Sequence, residues 1–422
     1  MSEAHFTIAV VGAGPAGASA ANALCLGGVQ DVALIDRARF PRDKACGDGI
    51  TEGAVDVLKE FDLGHLLAPH ALISRVVVTA PSGAQAAMEP VAGERPLPIA
   101  YVIPRKVFDA ALVSAALQRG AADFTGHRLE KADRRDGRWS LELSGAPPER
   151  PRRQITADFL IGADGASSRV RRALGLALNS DAHTSIAIRA YARVTAPRKP
   201  LMQIDMIDGI IWPGYAWLFD SGSQIVNVGL GTELVAYKAQ KRRLPEVLAS
   251  YLSHLGGGFD LDQASMHSAP LPLASKLPRL AHSAQSAALI GDAASMINPL
   301  TGEGISYGMV AGLLLGRKLA DAVRRDQDLG PAALRYENDF RARFGAHFRN
   351  NGALRGILRF RPLAERMVGS YRRDAAYYRD ALEFMLGCGN NVSAPRLFWR
   401  GLVPSKLKQR RSGGDETRTN AG

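Results

Sequence analysis

The sequence has few cysteines and no long apolar run. Its three cysteines, Cys25, Cys46 and Cys388, are odd in number and far apart. They cannot form a paired disulfide framework, and their spacing is not that of a zinc site. No run of about 18 consecutive apolar residues occurs, which argues against a transmembrane helix. A thiol-poor chain of this kind suits a reducing cytoplasm, and we expect no metal.

No leader segment can be recognised at the N-terminus, because the chain enters a strand at 6–11 without a basic region or cleavage site. We therefore expect no secretory signal. The 422 residues are about three times a typical domain length, so two or more lobes are expected. A content of 46% hydrophobic and 22% charged residues is ordinary for a globular protein with a large core.

Two kinds of pattern alternate along the chain. Residues 6–36 read as strand, glycine turn, helix and strand, whereas 184–231 alternate like an antiparallel sheet. We therefore predict an α/β fold with a discontinuous Rossmann-like lobe, an inserted antiparallel β-sheet domain for substrate, and a C-terminal helical region ending in a disordered tail. The predicted bounds are 1–70, 100–175 and 278–330 for the first lobe, 71–99 and 176–277 for the inserted domain, 331–411 for the helical region, and 412–422 for the tail.

A glycine-rich turn follows the first strand, Gly12-Ala-Gly14-Pro-Ala-Gly17. Gly12 permits a tight turn, Gly14 lets backbone approach a pyrophosphate, and Gly17 packs helix on strand. The helix that follows offers free N–H groups to phosphates. Asp36 ends the second strand, where an acid can hold ribose hydroxyls. The turn therefore predicts a dinucleotide site, whose contacts include Pro15, Ala16 and Arg37.

Two later strand ends decide which dinucleotide is bound. Phe159-Leu-Ile-Gly-Ala ends in Asp164-Gly165, and Ala288-Leu-Ile ends in Gly291-Asp292. An extended FAD needs such strand ends, with a carboxylate that accepts bonds from ribitol hydroxyls. An NAD domain has no use for a matching segment about 280 residues downstream. The three signatures in order predict FAD.

A second glycine loop comes after Asp292, in Pro299-Leu-Thr-Gly302-Glu-Gly304-Ile305 before a long helix. Backbone N–H groups at this helix start can stabilise negative charge at N1 and O2 of a reduced flavin. We expect Glu303 to act as a first-turn acid that favours the helix dipole rather than as a catalytic group.

Three motifs together resemble the geranylgeranyl reductase family of flavoproteins. They are Pro41-Arg-Asp-Lys44-Ala-Cys46-Gly47-Asp48-Gly49, Tyr215-Ala-Trp217-Leu-Phe219 and the Gly302–Ile305 loop, and the likeness covers about residues 6–325. The resemblance implies a fold like that of p-hydroxybenzoate hydroxylase, with an FAD-binding lobe of the glutathione reductase type. It also implies that reduced FAD saturates double bonds of polyprenyl chains.

The resemblance further implies roles for single residues. Ala45, Cys46 and Gly47 would lie beside the flavin, Arg105 would bind FAD, and Leu129 would lie near the adenine. Tyr215, Trp217 and Phe219 would line the substrate cavity, with Cys46, Tyr215 and Trp217 as catalytic candidates.

Cys46 lies between Lys44 and two glycines, so we expect an accessible cysteine with thiolate character that tunes the flavin, contacts the substrate or donates a proton. The alternative is a small residue that only lets the backbone approach the flavin ring. The chain departs from the family at Asp220, where Pro is usual, and at Ser295, where Gly is usual. A carboxylate at Asp220 near the cavity wall would disfavour a purely apolar tunnel.

Other flavoenzyme reactions stay open, since one fold supports several chemistries. The main alternative is a monooxygenase that hydroxylates or epoxidises a hydrophobic or secondary-metabolite substrate. Aromatic hydroxylases, however, usually carry a histidine after the alanines of the Gly-Asp segment. A halogenase is disfavoured because no lysine lies between Lys59 and Lys106. A non-catalytic electron carrier would need no enclosed cavity.

The net charge of +12 is concentrated near the C-terminus, where 331–411 holds 17 Lys/Arg and 6 Asp/Glu. Such a region can be a solvated helix face, or it can contact an anionic membrane, an acidic protein or a phosphorylated substrate. The reductant is open between NADPH and a ferredoxin-type donor. No nucleic-acid module is recognisable. We expect a cytoplasmic protein whose basic region is compatible with contact at the inner membrane face.

Overall fold

The computed structural model describes residues 4–90, 100–145, 152–195, 198–207, 211–386, 397 and 400. The predicted tail 412–422 and Cys388 lie outside the described residues. The strands are β1 (Ala4–Val11), β2 (Val32–Asp36), β3 (Gly49–Thr51), β4 (Arg75–Thr79), β5 (Gln85–Met88), β6 (Ala100–Val102), β7 (Ala122–Thr125), β8 (His127–Arg135), β9 (Arg138–Gly145), β10 (Arg153–Gly162), β11 (Thr184–Val194), β12 (Leu201–Asp205), β13 (Gly214–Asp220), β14 (Ile225–Glu233), β15 (Phe259–Pro272), β16 (Ala281–His282) and β17 (Ala287–Leu289). The helices are α1 (Pro15–Leu26), α2 (Glu52–Glu60), α3 (Arg105–Gln118), α4 (Arg169–Ala173), α5 (Leu234–Ala239), α6 (Leu244–His254), α7 (Ile305–Arg324), α8 (Leu329–Leu358), α9 (Arg361–Tyr371) and α10 (Ala375–Leu386).

The first sheet is the Rossmann-like layer. Its order is β16-β17-β10-β1-β2-β7, and β17, β10, β1, β2 and β7 run parallel. The strands are nearly continuous apolar runs, as expected for a parallel sheet that is covered on both faces, and α1 and β8 both pack against β2. Their carboxyl ends meet at one edge, where Ala163 N–H donates to the Val11 carbonyl and Ile290 N–H to the Gly162 carbonyl. The three predicted signatures therefore lie side by side.

The second sheet has the order β15-β11-β14-β13-β12-β4-β5. All of its pairs are antiparallel except β12 with β4. A small β3–β6 ladder joins the segment after the Cys46 loop to the strand before α3. The predicted fold class, a mixed α/β lobe with an antiparallel sheet and C-terminal helices, is confirmed.

The C-terminal helices contribute to the core as well as to the surface. Apolar side chains of α9 and α10 pack with β4 and β5 in one buried cluster, which includes Val368, Tyr371, Tyr378 and Leu382. The region is therefore amphipathic, with an inward apolar face that its charge pattern did not indicate. Within the described ranges, no helix is long and apolar enough to cross a bilayer.

Helix α7 lies unusually close to α1 along a row of glycines. A Cβ at Gly312 would lie 2.3 Å from the Ala16 carbonyl oxygen, and one at Gly316 would lie 2.6 Å from the Ala23 Cβ. Small residues on both helices allow this approach, which brings the start of α7 at Gly308 against Ala16 of the first glycine turn.

We predict that Gly312→Ala destabilises the protein by about 1–3 kcal/mol, because the added methyl group meets backbone that cannot move aside. The matched control is Gly356→Ala on α8, where a Cβ meets nothing within 4 Å. Relief of the helical glycine penalty should there stabilise the protein by about 0.5–1 kcal/mol. Chemical denaturation measures both, and equal effects would contradict the close contact of the helices.

Candidate functional site

One cavity of about 1090 Å³ runs from the first glycine turn to the C-terminal helices. Every predicted cofactor and substrate residue lines it, with the exception of Gly17. A Cβ at Gly17 would lie 1.8 Å from the Gly12 carbonyl oxygen, so this glycine serves the packing of α1 on the turn. The predictions scattered along the sequence thus converge on one space.

The first glycine turn has the geometry of a phosphate cradle. Gly12 adopts φ of +103°, and a Cβ there would lie 2.2 Å from the Ala163 carbonyl oxygen. Gly14 caps α1 without any side-chain hydrogen bond, so the first N–H groups of the helix face the cavity without a side-chain acceptor. The Asp36 carboxylate accepts from Ala13 N–H and from Ala38 N–H, each at 2.8 Å. Arg42 lies beside Gly14 and adds positive charge.

The two later carboxylates differ in their surroundings. Asp164 accepts from the Ser168 hydroxyl at 2.5 Å and from Arg169 N–H at 2.6 Å, which closes the turn into α4. Burial raises the pKa of Asp164. Asp292 instead lies 3.3 Å from the Lys44 ammonium nitrogen, across the cavity-lining loops. Asp164 therefore closes a turn, whereas Asp292 contacts a side chain of another loop that lines the cavity.

His127 is a cavity residue that sequence reasoning missed. It lies on β8 two positions before Leu129 and lines the same end of the cavity. Both of its ring nitrogens are buried without a hydrogen-bond partner among the described residues. A buried imidazole needs such a partner, and the adenosine end of FAD supplies donors and acceptors. The channel, the open helix end and this ring all fit FAD.

The Cys46 loop is fixed by residues of the second sheet. Arg189 on β11 donates to the carbonyls of Cys46 and Lys44, at 3.1 and 2.6 Å, and pairs with Asp43. Asn227 on β14 donates to the Cys46 carbonyl at 2.8 Å. Neither residue belongs to a recognisable motif, although arginine and asparagine inside otherwise apolar alternating strands are a signal of buried polar contacts.

Asp48 is held by the same network. It accepts from the Tyr191 hydroxyl at 2.6 Å and from Asn227 Nδ2 at 2.9 Å. Burial raises the pKa of Asp48 to about 6, against the lowering effect of these hydrogen bonds and of Arg189.

The expected thiolate character of Cys46 is wrong. Burial raises the pKa of the thiol, and the positive charge of Arg105 does not offset the loss of solvent. The ammonium group of Lys44 pairs with Asp292 instead. Asp48 N–H donates to the Cys46 sulfur at 3.3 Å. Cys46 is therefore a neutral thiol at the cavity wall.

Arg105 is buried at the start of α3 and forms a two-point ion pair with Asp109, with both contacts at 2.6 Å. Arg42 also pairs with Asp109, at 2.7 Å. The predicted FAD contact at Arg105 is thus a guanidinium that lies beside Cys46 and is oriented by an internal carboxylate.

The aromatic residues of β13 form one wall of the cavity. Tyr215, Trp217 and Phe219 point to the same side of the strand, with neighbouring ring centres 6.1 and 6.2 Å apart. Trp217 Nε1 donates to Asn227 Oδ1 at 2.9 Å, which fixes the indole. The Tyr215 hydroxyl donates to the Thr301 carbonyl in the second glycine loop, and burial raises the pKa of this tyrosine.

Asp220 does not lie at the cavity wall. It points to the opposite side of β13, where it accepts from Gly222 N–H at 2.8 Å and lies 3.2 Å from Arg198 Nε. The expected conflict with an apolar tunnel is therefore wrong. Ser295 adopts φ of +59°, a conformation that favours glycine, and its hydroxyl accepts from Arg171 at 2.8 Å.

The second glycine loop meets both the aromatic wall and β3. A Cβ at Gly302 would lie 3.0 Å from the Tyr215 hydroxyl. Glu303 accepts from the Thr51 hydroxyl at 2.5 Å, and burial raises the pKa of its carboxyl group. The carboxyl group of Glu303 is thus buried and bound to Thr51, and Glu303 precedes the first turn of α7, in which it was expected.

Beyond Phe219 the cavity becomes an apolar chamber. Its walls are the cavity faces of β4 and β12 and the inner faces of α9 and α10. The residues are Val76, Val78, Met202, Ile204, Met206, Met367, Tyr371, Leu382, Met385 and Leu386. Four methionines suit an irregular and adaptable apolar ligand.

The fold and the site define an FAD-binding flavoprotein oxidoreductase. The FAD binding domain family matches residues 5–210. The chain is 32% identical to a menaquinone reductase of Mycobacterium tuberculosis, over 74% of this chain and 76% of that protein. It is 30% identical to digeranylgeranylglycerophospholipid reductase 1 of Methanopyrus kandleri, over 81% and 87% of the two chains. The chain belongs to the geranylgeranyl reductase family of FAD-dependent oxidoreductases.

Solved structures show the same fold. A geranylgeranyl bacteriochlorophyll reductase-like protein from Thermoplasma acidophilum superposes with a TM-score of 0.77 at 18% identity, covering 97% of this chain and all of that one. A flavin-dependent brominase superposes with a TM-score of 0.73 at 16% identity, covering 96% of this chain and all of its own.

We predict that Tyr191→Phe raises the pKa of Asp48 above its value of about 6, because the lost hydroxyl stabilises the carboxylate. In the wild type the pKa of Asp48 is already raised, so the folded protein holds this proton more tightly than the unfolded chain does. Protonated Asp48 therefore contributes stability at low pH, and this contribution is lost as pH rises through about 6. The visible spectrum of bound FAD, titrated between about pH 5 and 8, should show a midpoint that moves up by roughly 0.5 or more.

The matched control is Tyr251→Phe, which removes a 2.6 Å Tyr–Asp hydrogen bond to Asp205, away from the cavity. It should leave the spectral midpoint unchanged. A midpoint unaffected by Tyr191→Phe would show that Asp48 does not titrate next to the flavin.

Proposed function

We propose that this FAD-dependent reductase saturates carbon–carbon double bonds of a polyprenyl or similar long apolar substrate. The observation that carries the proposal is the apolar chamber continuous with the FAD channel past Phe219. An extended hydrocarbon can lie between the second sheet and α9 and α10 with one end at the Cys46 loop. The lipid and quinone named for the two reductase relatives support a substrate of this class.

The two glycine turns and the loops between them would hold FAD along the edge of the first sheet. Gly14 and the N-terminus of α1 would hold the pyrophosphate, Asp36 and His127 would hold the adenosine end, and Asp292 would hold the ribitol. Reduced FAD supplies a hydride for one carbon of the double bond. The N–H groups at the start of α7 would stabilise the negative charge of the reduced ring.

An isolated double bond is a poor hydride acceptor, so the site must orient it and provide a proton. The indole of Trp217 is held by Asn227, and a Cβ at Gly47 would lie 2.9 Å from the Phe219 ring, so this ring packs directly on the Gly47 backbone. This rigid wall excludes water and fixes the double bond beside the Cys46 loop.

Cys46 is the better placed of the two proton donors. The Tyr215 hydroxyl is committed to the Thr301 carbonyl. The Cys46 sulfur accepts from Asp48 N–H, so its own proton is free for the second carbon of the double bond. The thiolate left behind is stabilised by that N–H and by Arg105.

The reductant in our proposal is NADPH or a ferredoxin-type protein, and the protein works in the cytoplasm. The surplus of arginine in α8 and α9 supports docking of an acidic donor or contact with an anionic membrane surface. Such docking would weaken as salt rises, because exposed charges are screened.

The deciding experiment is a single turnover without oxygen. The bound FAD is reduced with dithionite and mixed with a polyprenyl alcohol, and reoxidation is followed by absorbance. We expect a product heavier by two hydrogen atoms. A product that gains oxygen only after air is admitted would establish the monooxygenase alternative instead.

We predict that Cys46→Ala slows this turnover by roughly 10²- to 10⁴-fold, the usual cost of losing a general acid. Tyr215→Phe keeps the wall and should stay within roughly tenfold of the wild type, since its proton is not used. Turnover in D₂O gives an independent readout of the proton transfer, because the exchangeable proton donor then delivers deuterium to the second carbon of the double bond. A turnover unchanged in Cys46→Ala would leave Cys46 with only a spacing role.

A further inference from the structure

A buried histidine of the C-terminal region lies behind the second glycine loop. His347 on α8 is 7% exposed, and its Nε2 lies 2.9 Å from the Tyr307 hydroxyl and 3.2 Å from Asn298 Nδ2. Asn298 Nδ2 also donates to the Tyr307 hydroxyl at 3.1 Å. The three side chains therefore form one closed set of hydrogen bonds between α8, the first turn of α7 and the start of the loop.

The second glycine loop takes its shape from Asn298. The Asn298 side-chain oxygen accepts from Leu300 N–H at 2.9 Å and from Thr301 N–H at 3.2 Å. Its backbone carbonyl accepts from Gly302 N–H at 3.0 Å, and its own N–H donates to the Glu303 carbonyl at 2.7 Å. The side-chain amide must therefore keep one orientation, with its oxygen toward the loop and its nitrogen toward the buried hydrogen bonds.

The imidazole of His347 acts as an acceptor. The Asn351 amide nitrogen lies 3.3 Å from the same Nε2 atom, and it also donates to the His347 carbonyl at 2.9 Å, which fixes it as a donor. A protonated ring would turn an N–H toward amide nitrogens that can only donate. Burial lowers the pKa of His347 to about 4, so the ring is neutral near pH 7. The neutral ring keeps Nε2 available to the donors around it.

The loop that Asn298 shapes faces the cavity, and residues 299–304 line it. A Cβ at Gly304 would lie 3.5 Å from Asp292 Oδ1, so the end of the loop touches the third of the strand-end signatures. Gly304 caps α7 without a side-chain hydrogen bond. A shift of the loop would move the first N–H groups of α7, and with them the positive end of the helix dipole.

We propose that His347 is a positioning residue for the flavin. As an acceptor behind Asn298 and Tyr307 it fixes the second glycine loop, and it thereby raises the reduction potential of bound FAD. The inference rests on the proposed function, in which the flavin ring lies at the start of α7. Reduced flavin carries negative charge, so N–H groups held at fixed positions would favour the reduced form, whereas a mobile loop would lose part of that stabilisation.

The test measures the two-electron midpoint potential of bound FAD against dyes of known potential, without substrate. His347→Leu keeps a buried side chain of similar size but offers no acceptor. We expect it to lower the equilibrium constant for reduction by roughly tenfold, which is about 30 mV for a two-electron couple. His347→Gln places an amide oxygen near the position of Nε2, and it should stay within roughly twofold of the wild-type constant.

Tyr307→Phe is the second variant, because it removes only the hydroxyl and keeps the packing of the ring on Phe344 and Phe348. The direct contact between Asn298 and His347 remains, so we expect a smaller loss of roughly threefold in the same constant. This variant tests the proposal even if His347→Leu does not fold.

The matched control is His282→Leu. His282 is also buried, and burial lowers its pKa, but it lies on β16 and pairs with Ala287 at the start of β17, away from the strand end at Asp292. Its replacement should lower stability in chemical denaturation and leave the potential unchanged. An unchanged potential in both His347→Leu and Tyr307→Phe would overturn the positioning role. An equal shift in His282→Leu, or a shift in His347→Gln as large as in His347→Leu, would overturn it too.

The inference and the proposed function fail separately. The potential is measured without substrate, so the shift in His347→Leu supports the positioning role even if no polyprenyl alcohol is reduced. If the wild type reduces the alcohol and the potential does not depend on His347, only the positioning role is wrong.

Discussion

The close packing of α7 on α1 is the contact on which the site depends. The first glycine turn and helix α7 are far apart in sequence, and they come together because Gly308, Gly312 and Gly316 let α7 approach Ala16 and α1 to backbone distance. A Cβ at Gly291 would lie 2.8 Å from the Ala16 Cβ, so the strand end at Asp292 touches the first turn itself. The cavity edge is therefore set by backbone rather than by flexible side chains, as a rigid cofactor requires.

The parts of the site that are local in sequence could be predicted. Gly12 is needed for a positive φ in a tight turn, and Asp36 is an acid at the end of a strand. Both requirements concern a few neighbouring residues, so they can be recognised as a sequence motif. Arg189 and Asn227 could not be found this way, because each acts on a loop more than 140 residues away. The Cys46 prediction failed because neighbouring charge is visible in sequence whereas desolvation is not. Asp220 could have been placed correctly, since adjacent residues on a strand face opposite sides.

The C-terminal helices show how composition conceals a role. Their arginines dominate the charge pattern and suggest a surface, yet Met367, Tyr371, Leu382 and Met385 recur at helical spacing and close the apolar chamber. The fold is shared with a brominase, so backbone architecture alone does not select the reaction. The choice lies in the side chains along the cavity, where a neutral thiol and an aromatic wall stand beside the cofactor channel.

Arg189 and Asn227 belong to the second sheet, but the loop they hold belongs to the first lobe. The two lobes are therefore not interchangeable modules. A chimera that joins another family member's second sheet to this cofactor lobe would have a new substrate surface. It would also change the backbone position of Cys46, because Arg189 and Asn227 bind the Cys46 carbonyl. A family member that evolves a new substrate specificity must then change the sheet and the loop together. Otherwise it must change only those cavity side chains that do not disturb the hydrogen bonds of Arg189 and Asn227 to the Cys46 loop.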